Sequence, residues 1–114
     1  MTYDELVNLA LELPDTEEFI GKKELAVNRS GKMMFRTRPN DSVAIRLDWD
    51  SRDRLLEEQP DTFFLIDHYL GWPFALARLE KLEEVQAKEL LQIAWEECLY
   101  PCKTRPHEKQ NRAN

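Results

Sequence analysis

Residues 24–48 constrain the fold most, because apolar and polar side chains alternate there in a pattern typical of β-strands. Leu25 and Val27 alternate with their neighbours, and a Ser30-Gly31 turn that tolerates positive φ follows. The segment 32–38 comes next, and a turn at 39–41 leads into the alternating segment 43–47. Three strands joined by two tight turns predict an antiparallel meander.

Helical spacing before and after this meander predicts three helices. Thr2 and Glu5 form a T-x-x-E capping box, and Pro14 ends the apolar run that follows it. A short second helix is predicted over 51–59, with Asp50 as its N-cap. The last helix is predicted from an apolar stripe formed by Ala87, Leu90, Leu91, Ala94, Trp95 and Cys98.

Two further strands are predicted at 63–66 and 74–77, on either side of a loop rich in aromatic residues. The fold class is therefore α+β, with the order α-β-β-β-α-β-β-α. We expect a five-stranded antiparallel sheet with helices on one face and the other face at least partly open. Residues 1–100 are expected to form a single domain, and 101–114 a polar, frayed tail.

Several classes of function lack support in the sequence. No apolar run approaches the roughly 20 residues of a membrane span, and the acidic N-terminus lacks the basic start of a signal peptide, so a cytoplasmic location is expected. Catalytic motifs are absent, which predicts a protein that is not an enzyme and uses no cofactor. Cys98, Cys102 and His107 give a C-x3-C-x4-H spacing with too few ligands for structural zinc, so no metal site is predicted.

Charge is distributed unevenly along the chain. The net charge is −6, yet residues 21–46 hold seven basic and two acidic residues. Residues 1–20 carry −6 and residues 47–100 carry −8. The predicted meander is therefore a basic segment in an acidic protein, and that asymmetry suggests an anionic partner.

Alternation places the basic residues of the meander on one side. In the segment 32–38, Met33 and Phe35 are expected to point one way, and Met34 and Arg36 the other. If Phe35 and the third strand's Ile45 face the helices, Arg36 and Arg46 share the open face. The candidate nucleic-acid-binding residues are Lys22, Lys23, Lys32, Arg36, Arg38, Arg46, Tyr69 and Trp72. Two simpler interpretations stay open: a solvated face balanced by carboxylates, and aromatic residues that only cover the edge of the core.

An ordered set of short segments resembles the bacterial MmcQ/YjbR family. The segments lie at 19–22, 31–35, 60–64, 68–72 leading into 78–79, and 89–95, so the resemblance spans roughly residues 3–100. It implies a secretion-chaperone-like fold and the family's usual label as a DNA-binding protein. This chain departs from the family in its short loop before Trp72, and in Arg46 where a lysine is frequent.

Two functions follow as hypotheses. The first is weak, salt-dependent DNA binding through the basic meander face. The second is a protein- or peptide-binding module, or a chaperone-like adaptor, without nucleic-acid activity. The sequence leaves the oligomeric state open.

Overall fold

A computed structural model describes residues 1–101, which form an α+β fold with three α-helices and six strands. The predicted tail, apart from Pro101, lies outside the described residues. In chain order the elements are α1 (Tyr3–Leu11), β1 (Thr16–Ile20), β2 (Leu25–Arg29), β3 (Lys32–Arg38), β4 (Ser42–Arg46), α2 (Trp49–Glu58), β5 (Phe63–Phe64), β6 (Phe74–Arg78) and α3 (Glu84–Leu99). Short 3-10 helices at Asp67–Tyr69 and Leu79–Lys81 flank β6.

The sheet is antiparallel, with strand order β1-β2-β3-β4-β6-β5. The expectation of five strands was wrong, because β1 adds a sixth at the edge beyond β2. Its five residues are exposed or half-buried on both faces, so their side chains carry no alternation that sequence analysis could detect. Backbone hydrogen bonds to β2, not side-chain burial, make this segment a strand.

The predicted meander is present as β2, β3 and β4. Ser30 and Gly31 both have positive φ, at 49° and 83°, as a two-residue type I′ hairpin turn requires. Between β2 and β3 the register shifts, because Val27 pairs with Phe35 whereas the next residue, Asn28, pairs with Met33. Met34 is thus an extra residue in β3, a β-bulge.

The bulge overturns part of the predicted facing of β3. Met34 and Phe35 are both buried in the main core, on the helix side. Met33 packs instead against the apolar cluster on the opposite side. Lys32 is paired with Arg29, whose side chain reaches the helix side, so Lys32 does not share a face with Arg36.

The caps of the first two helices are short-range features of the sequence. The predicted capping box of α1 is present: the Glu5 amide donates to Thr2 Oγ1 at 3.1 Å and the Thr2 amide donates to Glu5 Oε1 at 2.8 Å. Helix α2 is capped by Asp48 rather than by Asp50, with the Ser51 amide donating to Asp48 Oδ2 at 3.1 Å. The helix therefore starts two residues before the predicted one, and Asp50 lies in its first turn.

All three helices contribute to one hydrophobic core on one face of the sheet. Its members come from α1 (Leu6, Val7, Ala10), α2 (Leu55), α3 (Ala87, Leu90, Leu91, Ala94, Cys98) and the inward-facing strand residues. Within residues 1–101, no helix is both long and apolar enough to cross a membrane.

The opposite face of the sheet, which was expected to be at least partly open, is partly covered. Strand β5 ends at Phe64, two residues earlier than predicted, and the chain then crosses the sheet through Leu65, Ile66 and the 3-10 helix Asp67–Tyr69. A second apolar cluster forms there from Ala44, Tyr69, Phe74 and Leu76, with Met33, Phe64, Leu65 and Ile66 packed against it. This loop decides which basic side chains remain accessible.

Candidate nucleic-acid interface

Among residues 1–101, four arginines lie on the face of the sheet opposite the helices. The strand register pairs Arg36 with Ala44 and places Arg38 and Arg78 on either side of Ser42. Arg46 follows Ala44 by two residues and so points the same way. We call Arg36, Arg38, Arg46 and Arg78 the arginine face.

Arg36 is occupied by neighbours within the protein. Its Nη1 donates to Glu24 Oε2 at 2.8 Å, and its Nε donates to the Tyr69 hydroxyl at 2.8 Å. Its Nη2 also donates to that hydroxyl. Burial disfavours the charge, but the hydrogen bonds to Tyr69 and the ion pair with Glu24 outweigh it and raise the pKa of the guanidinium. Arg36 therefore holds the 65–73 loop and the β1–β2 hairpin together, and its side chain is only 19% exposed.

Arg46 is also engaged. Its Nε donates to the backbone carbonyl of Met33 at 2.7 Å, and its guanidinium lies 5.0 Å from the ring centroid of Phe74. The carbonyl belongs to the residue next to the bulge, where the regular pairing of β3 is interrupted. Arg46 thus donates to a backbone carbonyl beside the bulge and helps to satisfy it.

Arg38 and Arg78 flank a groove at one end of the arginine face. The groove has a volume of about 430 Å³, and Phe64, Ile66 and Leu76 form its apolar lining. Within residues 1–101 the guanidinium of Arg38 has neither a hydrogen bond nor an ion pair, although its Nε is buried. Arg78 Nη1 donates to the backbone carbonyl of Asp61 at 3.2 Å. The groove therefore combines two cations with an apolar floor, which suits an anion attached to a flat apolar group.

The three predicted lysines divide between the two ends of the sheet. Lys22 and Lys23 are exposed at the tip of the β1–β2 hairpin, at the same end as Arg38. Lys32 is exposed at the opposite end, roughly 20 Å along β3 from Arg38. The predicted set is therefore not one patch.

The two predicted aromatic residues also differ in their environment. Tyr69 is 4% exposed and packs against Phe74, so its ring is not available to stack on a base. Trp72 is 58% exposed and remains accessible. Tyr69 is therefore buried where the sequence placed it at an exposed rim, and its hydroxyl accepts two bonds from Arg36. The binding role of both residues stays a prediction.

Sequence analysis missed Arg78 as a member of this site. Arg78 lies on the same face of β6 as Phe74 and Leu76, and this alternation could have revealed it. The predicted strand ended at 77, one residue before Arg78. Cation–π contacts are a further common feature: the guanidinium carbons of Arg36 and Arg38 lie 5.6 and 5.8 Å from the Tyr69 ring centroid, and that of Arg78 lies 4.3 Å from the Phe64 centroid. These contacts join residues far apart in the chain and leave no local pattern.

Cys98 is a core residue. It is buried, and burial raises the pKa of its thiol, although nearby cations including Arg46 act in the opposite direction. Among the described residues, no three His, Cys, Asp or Glu side chains are grouped so as to hold a metal ion. Cys102 and His107 lie outside the described residues.

Comparison with known proteins adds no family assignment. No protein-family model matches the chain, and no curated protein matches it with significant similarity. The resemblance to the MmcQ/YjbR family therefore stays a prediction.

Proposed function

We propose that this chain is a binding module of the MmcQ/YjbR type, not an enzyme, that contacts the phosphates of nucleic acid weakly and salt-dependently. The observation that carries the proposal is Arg38, whose guanidinium borders a groove and has neither a hydrogen bond nor an ion pair within residues 1–101. A cation held at a groove with no internal counter-ion is available to an external anion.

Arg38 and Arg78 are the proposed phosphate ligands. Their backbones lie roughly 10 Å apart, since one strand separates them, and two long side chains can converge over that span. The apolar floor of the groove gives a sugar or base a surface to cover. Lys22 and Lys23, at the same end of the sheet, add positive charge that attracts phosphates without fixing their position.

The other predicted residues take different roles. Arg36 and Arg46 position the surface through Tyr69 and Met33, and their charges contribute at longer range. The acidic remainder of the chain repels a polyanion, so the footprint is small and affinity is low at physiological salt. A cytoplasmic site of action is part of the same proposal.

The test is fluorescence anisotropy of a labelled mixed-sequence duplex at low and at physiological salt. Arg38→Gln and Arg78→Gln should each weaken binding and reduce the slope of log K against log salt by about 1. Arg54→Gln is the matched control, because Arg54 is an exposed arginine on α2, away from the arginine face. Absence of binding at low salt by the folded protein, or equal weakening in the Arg54 control, would refute the proposal.

A second candidate function is protein binding as a chaperone-like adaptor. Two large apolar side chains of the 65–73 loop, Leu70 and Trp72, are exposed. Exposed tryptophan is typical of the residues that dominate protein interfaces. A partner that co-purifies after nuclease treatment and is lost in Trp72→Ala would support this candidate, and retention of the partner in that variant would count against this surface.

A further inference from the structure

Strand β1 forms an edge of the sheet with no neighbour beyond it in residues 1–101. It pairs with β2 in an uninterrupted register from Thr16 to Ile20. It contains no proline and no bulge, two devices by which proteins block edge pairing. Phe19 is 49% exposed and Ile20 is 75% exposed, on opposite faces of the strand. The outer edge of β1 is therefore a surface that another strand can extend.

The backbone hydrogen bonds show which residues of β1 face outward. The Gly21 amide donates to the Glu24 carbonyl at 2.9 Å, and the Ser30 amide donates to the Asp15 carbonyl at 3.1 Å. In an antiparallel pair, every second residue of a strand directs its backbone N–H and C=O groups toward the neighbouring strand. Because Asp15 and Gly21 bond to the β2 side, the odd-numbered residues between them do so as well. Thr16, Glu18 and Ile20 therefore direct their N–H and C=O groups outward.

Charge in this segment is arranged symmetrically. Residues 17–23 read Glu-Glu-Phe-Ile-Gly-Lys-Lys, with two acids before the apolar pair and two bases after it. Both lysines are exposed at the hairpin tip. An antiparallel copy of the same segment brings acids next to bases at both ends, whereas a parallel copy brings like charges together. The edge is therefore complementary to itself.

We propose that β1 pairs antiparallel with β1 of a second copy of this chain, around a two-fold axis at Phe19. In this register Glu18 of each copy is hydrogen-bonded to Ile20 of the other, because both residues direct their backbone groups outward. The two Phe19 rings face each other in a non-hydrogen-bonded pair, the closer of the two pair types. The charge contacts of this register are diagonal, Glu17 with Lys23 and Glu18 with Lys22 of the other copy, because the residues directly opposite Glu17 and Glu18 are Gly21 and Ile20. A register centred on Glu18 places two carboxylates opposite each other and is disfavoured. A register centred on Ile20 requires regular pairing beyond Ile20, where β1 ends, and is disfavoured as well.

The association is weak and concentration-dependent. Few residues of each copy take part, so the buried area is at or below the low end of the roughly 1,200–2,000 Å² of stable interfaces. The charge pairs at its ends are exposed to solvent, so salt weakens the dimer. The arginine face plays no part in this contact, so the inference does not depend on the proposed function.

Charge reversal combined with mixing tests the proposal. Glu17→Lys/Glu18→Lys makes the segment basic at both ends, and Lys22→Glu/Lys23→Glu makes it acidic at both ends. Sedimentation velocity at increasing concentration should show a dimer of the unaltered protein, and each double variant alone should stay monomeric. An equal mixture of the two variants should form a dimer again, which a partner site elsewhere on the surface does not explain.

Disulfide trapping tests the register. A non-hydrogen-bonded pair has its Cα atoms about 4.5 Å apart, within the range that a disulfide bridges. In a Cys102→Ser background, Phe19→Cys should form a covalent dimer on mild oxidation. Glu17→Cys is the control, since its symmetry mate lies roughly 13 Å away along the strand.

Three outcomes would overturn the proposal. One is an unaltered protein that stays monomeric at every concentration, which would leave the edge free for a strand of a different protein. Another is association of both charge-reversed variants at the level of the unaltered protein, which would place the contact elsewhere. The third is equal cross-linking of the position 17 and position 19 cysteines.

Discussion

The guanidinium of Arg29 lies over the indole ring of Trp95, with its central carbon 3.5 Å from the ring centroid. Arg29 Nη1 also donates to the Trp95 backbone carbonyl at 2.7 Å. The indole Nε1 of Trp95 in turn donates to the Pro14 carbonyl at 2.8 Å. One pair of residues therefore joins β2, α3 and the connection between α1 and β1.

Replacing Arg29 should destabilise the fold markedly. Arg29 is buried, so Arg29→Met removes a cation–π contact and a charge-assisted hydrogen bond in a site shielded from water. We expect the free energy of unfolding to fall by about 2–3 kcal/mol, measured by urea denaturation. Arg54→Met is the comparison: Arg54 is exposed and lies 4.0 Å from Glu58, so the loss should be about 0.5 kcal/mol or less. Equal losses in the two variants would contradict this view of Arg29.

Removing the hydroxyl of Tyr69 should loosen the loop over the arginine face. Tyr69→Phe leaves two Arg36 donors without their acceptor. Because Arg36 is partly exposed, water replaces some of the lost bonding, and we expect a loss of about 1–2 kcal/mol. Hydrogen exchange of the 65–73 backbone should accelerate as well. Tyr100→Phe, at an exposed hydroxyl, should change neither measurement.

Tyr3 should make the protein sensitive to alkali. Burial, with smaller contributions from Glu18 and Asp4, raises its pKa from 10.0 to about 12. Between these values the unfolded chain loses the phenolic proton and the folded chain keeps it, so stability falls as pH rises through that window. Tyr3→Phe should flatten the decline relative to the unaltered protein, as followed by denaturation at a series of pH values.

The same Tyr3→Phe substitution should cost little at neutral pH. The Tyr3 hydroxyl is buried without a hydrogen-bond partner in residues 1–101, and the edge-on contact of its ring with Phe35 survives in phenylalanine. Identical pH profiles for the two proteins would show that Tyr3 does not cause the alkaline decline.

Cys98 should react with thiol reagents only when the fold opens. It is buried and its raised pKa lowers the fraction of thiolate, which is the reactive form. The chain has two cysteines, so the variant Cys102→Ser reports on Cys98 alone. Its labelling by a chromogenic disulfide should be slow in buffer and fast in denaturant. Rapid labelling of the native protein would show that Cys98 is accessible.

Local sequence predicted the features that depend on neighbouring residues. The capping box at Thr2 and Glu5 spans three residues and needs no tertiary contact. The side of the sheet occupied by Arg36 and Arg46 followed from simple alternation. Strand β1 was missed because neither of its faces is buried, so its amino acids carry no trace of the backbone pairing that forms it.

Other features arise from residues distant in the chain. Tyr69 accepts from Arg36 across 33 residues, and no spacing rule connects the two. That contact engages Arg36 within the fold, whereas its predicted binding role stays a prediction. Arg38 has no such contact, although both arginines occupy equivalent positions in the alternation of β3.

The extra residue Met34 has a consequence for comparing this chain with others. Because of this extra residue, side chains do not alternate regularly along the whole of β3. Alternation counted from Arg38 assigns Met33 and Lys32 to the faces opposite to those that they occupy. A chain shorter by one residue at this point could keep the same arginine face and yet match poorly in an ungapped alignment. A single-residue gap placed at Met34, rather than in the turns on either side, is therefore the alignment that keeps equivalent side chains in register.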